Sequence, residues 1–197
     1  MSYTHGTFAA FVDAVVPATP ELAERGDEHV PGGLDAGLVD VLVEEINTIQ
    51  PVHGGPLGAL GYETTPLAPV VAALLDAAAL ELLLRRRAEE GLQSPADEYA
   101  GGPFSRLAAR DRLRAVRMLE TEGVLPALAD RLDAPGLGTI QYLASALVAL
   151  TETLYYGELT GDGETSQGWE QADYPGPSDG YAVMLGYEVD EFEEDDY

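Results

Sequence analysis

The sequence contains no cysteine. Disulfides, thiolate metal sites, iron–sulfur clusters and cysteine nucleophiles are therefore excluded. It also contains no lysine: the 10 basic residues are all arginine, they face 35 acidic ones, and the formal net charge is -25. Without lysine no Walker A phosphate loop can form, and no Gly-x-Gly-x-x-Gly follows a strand. The chain thus offers no nucleotide or flavin fold of its own. A nucleic-acid face is missing too. The arginines cluster only at Arg85-Arg86-Arg87 and at Arg106, Arg110, Arg112, Arg114 and Arg117. The second group is interleaved with acidic and apolar residues, whereas a phosphate backbone needs a continuous basic face. Histidine is scarce: His5, His29 and His53 are far apart in loops or at the terminus, with no His-x-x-x-His pair. A metal site would have to be assembled from three separate loops, against the usual clustered ligand spacing. Long hydrophobic runs are also lacking; charge interrupts every one well short of the roughly 20 residues of a membrane span. The segment Met1–Thr7 carries neither a basic n-region nor twin arginines, so an export address is not expected.

What is present is an ordinary apolar fraction of 46% in 197 residues, enough for one domain with a sizeable core. The charge is the unusual feature, because self-repulsion of this size disfavours a compact state in dilute buffer. Long apolar helical segments argue against disorder. A folded protein made for a high-salt medium reconciles the two, since at 1 M salt the Debye length falls to about 3 Å and the repulsion is screened. An acidic, lysine-free composition is similar to that of a halophile's proteins.

Apolar residues at spacings of three and four predict helices along most of the chain. Phe8, Phe11, Val12, Val15 and Val16 mark a first helix over Thr7–Val16, capped by Thr4 or Thr7 and closed by Pro17. Thr19-Pro20-Glu21 reads as the cap and start of a short turn that ends at Gly26, followed by a loop from Asp27 to Gly33. Leu34–Gln50 is a second helix. Pro51–Tyr62, with four Gly and two Pro, reads as a loop that cannot be helical. Thr65-Pro66 opens a long helix to about Glu90, its stripe carried by Leu67, Val70, Val71, Leu74, Leu75, Ala78 and Leu82. Arg85-Arg86-Arg87 then complement its dipole. Ser94–Pro103 is a loop and Phe104–Glu122 a helix. Val124–Leu132 is a short helix, and Asp133-Ala-Pro-Gly136 breaks the chain. Thr139–Tyr156 is apolar on most sides and is expected to be central. Trp169–Tyr181 is too rich in Gly and Pro for a regular element. Tyr181–Tyr187 reads as a short strand or a turn of helix. The expected fold is all-α: a single-domain irregular bundle of about five to six helices with a long irregular C-terminal loop. Residues 1–187 form the domain, 158–187 an aromatic, Gly- and Pro-rich extension, and 188–197 an acidic tail.

Few residues suggest chemistry. Gly176-Pro-Ser178-Asp-Gly180 matches Gly-x-Ser-x-Gly, but Tyr174-Pro175 precedes it and no histidine follows Ser178, so the nucleophile-elbow context fails. Asp162-Gly-Glu164-Thr-Ser166 is faintly like a calcium loop, but Gln167 stands where the sharp turn needs glycine. Acids are everywhere, and only Asp13 and Asp76 sit in apolar runs. Either could serve in acid–base work or lie on a helix surface.

Three stretches, taken in order, carry a resemblance. They are Phe11-Val-Asp-Ala-Val-Val-Pro-Ala-Thr-Pro20, Thr151-Glu-Thr-Leu-Tyr-Tyr-Gly157, and Trp169-Glu-Gln-Ala-Asp-Tyr-Pro-Gly-Pro-Ser178 with Gly180-Tyr181 close behind. Together they resemble the gluconate 2-dehydrogenase subunit 3 family, the small, cofactor-free subunit of membrane-linked flavin dehydrogenases. The resemblance implies an all-helical accessory subunit, not catalytic by itself. It would bind and mature or stabilise a large flavoprotein of the glucose–methanol–choline type that oxidises a sugar, polyol or sugar acid. FAD would belong to that partner, and this chain would hold no cofactor, no metal and no catalytic residue. Docking would fall to Tyr155, Tyr156, Trp169, Tyr174, Pro175, Pro177 and Tyr181, since aromatic residues anchor interfaces. The family's own twin-arginine signal has no counterpart before Phe8. With that signal missing, the expectation is that the pair stays in the cytosol, that the partner carries export, or that the given chain is trimmed. The competing reading of the residues is a stand-alone metal-dependent or hydrolytic enzyme built on His29, His53 and nearby acids, or a helical binding protein.

Overall fold

Ser2, in extended backbone, accepts the His5 N–H at 3.3 Å and so starts helix α1, Tyr3–Val15. The cap lies earlier than Thr4 or Thr7. Thr7 is fully buried inside the helix, where its hydroxyl donates to the Tyr3 carbonyl at 3.1 Å. The computed structural model describes residues 2–52, 55–61, 63–89, 99–121, 137–157 and 167–174. The expected helix at Val124–Leu132, the break at Asp133–Gly136, the element at Tyr181–Tyr187 and the acidic tail lie outside them.

Helix α1 is the centre of the bundle. Every residue from Gly6 to Val12 is buried, and α1 packs on each of the other long helices. The sequence pattern points instead to Thr139–Tyr156. The reason for the difference is side-chain size. Gly6, Ala9, Ala10 and Ala14 let neighbours approach α1 from all sides, whereas the later helix keeps Tyr142, Ser145, Ala149, Glu152 and Tyr156 in solvent.

Helix α2 spans Leu38–Thr48, not Leu34–Gln50. Gly37 precedes it with φ +69°, a left-handed conformation that a helix cannot propagate through. Leu38, Leu42 and Ile46 face the core. Gln50 to Val52 then runs beside Glu63 to Thr65 as a short antiparallel ribbon, with Val52 N–H donating to Glu63 and Thr65 N–H to Gln50, each at 2.8 Å. Within it Gly55–Ala59 forms a one-turn helix, α3, where the sequence reading excludes any helix. Pro56 is its second residue, a position whose N–H has no intrahelical partner in any case.

Helix α4 spans Ala68–Glu89. Its first N–H is capped by the Asn47 side chain of α2 at 3.0 Å. Leu67, Val71, Leu75, Ala78 and Leu82 are buried as expected, but Val70 is 39% exposed. The single helix expected from Phe104 to Glu122 is divided. Pro103–Arg106 is a 3-10 turn, Leu107 is extended at ψ 150°, and α5 spans Ala109–Thr121. Helix α6 spans Leu137–Tyr156 and lies on α2, while α7, Gln167–Gln171, folds back on α6. The described residues contain helices, turns and one isolated bridge, and no strand. The all-α expectation therefore holds. The short helix α7 is a correction to the reading of Trp169 onward as wholly irregular.

Candidate functional site

The C-terminal ends of α1 and α6 and Gln171 at the end of α7 meet around an open cavity of about 300 Å³. Each wall follows from local chemistry. Pro17 ends α1, and the chain then loops through Thr19, Leu22, His29 and Pro31, all of which line the cavity. Thr19 closes this loop: its hydroxyl donates to the His29 carbonyl at 2.5 Å and its N–H to Val30 at 2.9 Å. Gly33 N–H returns to the Val16 carbonyl at 2.9 Å, so the loop begins and ends against the same turn.

The opposite wall is Glu152, Tyr155 and Tyr156, at positions that share one face of α6. Tyr155 is buried. Its hydroxyl donates to the Pro31 carbonyl at 3.0 Å and accepts from Gln171 Nε2 at 2.9 Å. Burial raises the Tyr155 pKa above the ordinary phenol value, so the hydroxyl stays a donor across physiological pH. Gln167, one turn before Gln171, donates from Nε2 to the Glu28 carbonyl at 2.7 Å. These two glutamines fasten α7 to the loop and to α6. Gly168 sits between them, so close to α6 that a Cβ there would stand 2.6 Å from the Tyr156 Cα.

Tyr156 and Glu152 are, with Pro17, the exposed residues of the lining, and the aromatic pair Trp169–Tyr174 belongs to the segment that carries Gln171. Tyr156 is 58% exposed and Tyr174 46%. Trp169 meets Tyr174 edge to face at 5.0 Å, and Tyr155 meets Tyr156 likewise at 5.2 Å. Glu152 is exposed at the edge, and no arginine lines the cavity. The arrangement suits a ligand or partner surface that brings an apolar group to the floor of Val15, Val16 and Leu22 and a basic group to the rim.

Among the expected docking residues, the structure pairs Tyr155 with Tyr156 and Trp169 with Tyr174. Tyr155 is 2% exposed and is an internal strut that reaches the outside only through the cavity wall. Pro175, Pro177 and Tyr181 lie outside the described residues, as do the Gly176–Gly180 motif and the Asp162–Ser166 loop. His53 lies outside the described residues; His5 pairs with Asp40 and His29 with Glu28, and among the described residues no group of three His, Asp or Glu side chains could hold an ion. No helix among the described residues is long and apolar enough to cross a membrane. Gln167 and Gln171, essential to the geometry, had one sequence signal, their i,i+4 spacing around Trp169. That signal is visible only once α7 is known to be a helix.

Asp13 and Asp76 have structural partners. Asp76 is buried, accepts the Tyr3 hydroxyl at 2.5 Å, and accepts the Phe104 N–H at 2.9 Å. It thereby caps the Pro103–Arg106 turn and holds it to the start of α1. Partial burial, and the bond to this carboxylate, push the Tyr3 pKa up to about 12. Asp13 pairs with Arg112 of α5. No protein-family model matches the chain, and no curated protein or solved structure matches it.

Proposed function

We propose that this protein is a non-catalytic accessory subunit that binds and stabilises a flavin-dependent dehydrogenase of the glucose–methanol–choline type, with a sugar, polyol or sugar acid as the partner's substrate. FAD and the reacting groups belong to that partner. One observation carries the reading. The first of the three stretches that bear the resemblance lies more than a hundred residues before the other two, yet residues of all three line one cavity. Val15–Pro17 and Thr19 of the first, Glu152, Tyr155 and Tyr156 of the second, and Gln171 of the third line it. A shared surface is what a docking function asks of them. The half-exposed aromatic rim fits the same role, because Tyr and Trp bury large area at low entropic cost. Tyr156, Trp169 and Tyr174 are the anchors, and the acidic rim selects a partner face carrying arginine or lysine.

The test is co-purification from the native host with a tagged chain, in molar salt, with flavin absorbance and mass spectrometry as readouts. The tagged wild type is expected to retain a flavoprotein of that class. A Tyr156→Ala, Trp169→Ala, Tyr174→Ala triple variant of unchanged helicity is expected to lose it. Absence of any flavoprotein with the wild type, or unchanged retention by a folded triple variant, refutes the reading.

A further inference from the structure

Arginine is concentrated on the outer face of α5. Five of the ten arginines fall between Arg106 and Arg117, and the fold sorts them. Arg112 turns inward to Asp13, and Asp111, the single acid of that segment, is buried as well. What stays in solvent from Arg106 to Leu119 is four arginines, two alanines and Leu113. Arg110, Leu113, Arg114 and Arg117 share one side of the helix, since residues three and four apart are neighbours there. Leu113, 42% exposed, lies between Arg110 and Arg114. In the sequence these arginines are interleaved with acid. Folding hides the acid and leaves, in a chain of net charge -25, a strip of surface with no exposed acid on it.

We propose that this strip binds the chain's own acidic segment, Glu188–Tyr197, in cis. The segment lies outside the described residues, and its chemistry is read from the sequence. Seven of its ten residues are Asp or Glu, and Phe192 stands among them. The strip offers guanidinium groups around one leucine, and the segment offers carboxylates around one phenyl ring, so the two match in charge and in apolar content. Arg110 and Arg114, on either side of Leu113, are the central contacts. Arg114 reaches Asp111 only at 3.9 Å. Arg106 and Arg117, which have partners of their own, extend the positive field.

The covalent tether selects this occupant over a separate anionic partner. Helix α7 packs on α6 and α6 on α5, so Tyr174 stands about one helix layer from the strip. Packed helices are about 8–10 Å apart, and the extended chain from Tyr174 to Phe192 reaches up to about 65 Å. The encounter is intramolecular, at an effective concentration on the order of millimolar. Charge excludes long polyanions. Arg110 to Arg117 covers about 10 Å of helix, and a nucleic acid laid on it would run out over acidic surface. In molar salt the Debye length is about 3 Å, so only groups in direct contact attract. Arginine suits such contacts, because its guanidinium is weakly hydrated and forks onto carboxylates.

Absence of cysteine permits a single label. With a nitroxide on Val189→Cys, the amide signals of residues 110–117 are expected to broaden in molar salt, and to the same degree on dilution. An Arg110→Glu, Arg114→Glu variant should keep its helical circular dichroism, since both side chains are exposed, and should lose the broadening. Signals of α5 that stay sharp overturn the proposal, as does broadening that is strongest on another face. Broadening that fades on dilution overturns it by assigning the segment to a second copy. Broadening that survives in the folded double glutamate variant overturns it by removing the arginines from the contact. The measurement uses the chain alone, so its outcome is separate from whether a flavoprotein docks at the cavity.

Discussion

Arg112 of α5 donates to the Asp13 carboxylate of α1 at 2.9 Å, across 99 residues of sequence. The same guanidinium donates to the Ala10 carbonyl at 3.1 Å and the Ser105 carbonyl at 3.2 Å, and lies over the Tyr99 ring at 4.9 Å. Helix α1 has no basic residue in its own last turn. Arg112 therefore supplies from another helix the cation that complements its C-terminal dipole. Arg112 is 2% exposed while the Asp13 side chain is 31% exposed, so the two ends of the pair are not equivalent.

That asymmetry sets an expected order of stabilities. Asp13→Ala leaves a buried cation uncompensated and is expected to cost about 3 kcal/mol. Arg112→Met leaves an acid that water can reach and fills the space with an apolar chain of similar length. It is expected to cost about 1–2 kcal/mol, chiefly for the carbonyl of Ser105 left unbonded. Urea unfolding in molar salt measures both. A larger cost for Arg112→Met would show that packing and hydrogen bonding, not charge compensation, dominate the pair.

Tyr3 gives the fold a titration at alkaline pH. Its pKa is about 12 in the folded state, against an ordinary phenol value of 10.0. Between those values the unfolded chain has lost the proton and the folded chain keeps it. Stability from this group is thus complete below the unfolded pKa and is lost as pH rises toward the folded one. Unfolding midpoints are expected to fall between about pH 10 and 12. Tyr3→Phe should be less stable at neutral pH and should flatten that alkaline fall. An unchanged alkaline slope in the variant would place its origin elsewhere.

Gly168 tests the seating of α7 on α6 beside the cavity. A methyl group there meets the backbone and ring of Tyr156, so Gly168→Ala should lift α7 from α6 and break the Gln171–Tyr155 bond. Overpacking of this kind typically costs about 1–3 kcal/mol. The near-ultraviolet circular dichroism and fluorescence of Trp169, the single tryptophan, should change while far-ultraviolet signal from the long helices stays. Unaltered Trp169 spectra would mean α7 does not depend on this close approach.

The charge of -25 predicts a strong salt requirement. Helical circular dichroism is expected to be full in molar salt and to decline in millimolar salt, as screening is withdrawn. Equal spectra in both would rule out dependence on high salt.

Much of the helical plan is legible from periodicity, because spacings of three and four register wherever one face is buried. The errors sit where a single backbone or capping event decides a boundary. Gly37 in the left-handed region moves the start of α2, Asn47 on another helix starts α4, and extended Leu107 splits the helix expected from Phe104. The docking residues divide for a similar reason. Tyr155 and Tyr156 are neighbours in sequence, but the helix turns one into the bundle and the other to solvent.

Composition and pattern alone determined that the chain is all-α, acidic, free of thiol chemistry, and rich in apolar helices, since those properties reside in residue types and their local spacing. Tertiary structure decided the rest. It made α1 the centre, gave Asp13 and Asp76 their partners, and brought the ends of α1 and α6 and Gln171 of α7 around one cavity. Each of these depends on which helices meet, and a periodicity confined to one helix cannot specify its neighbours.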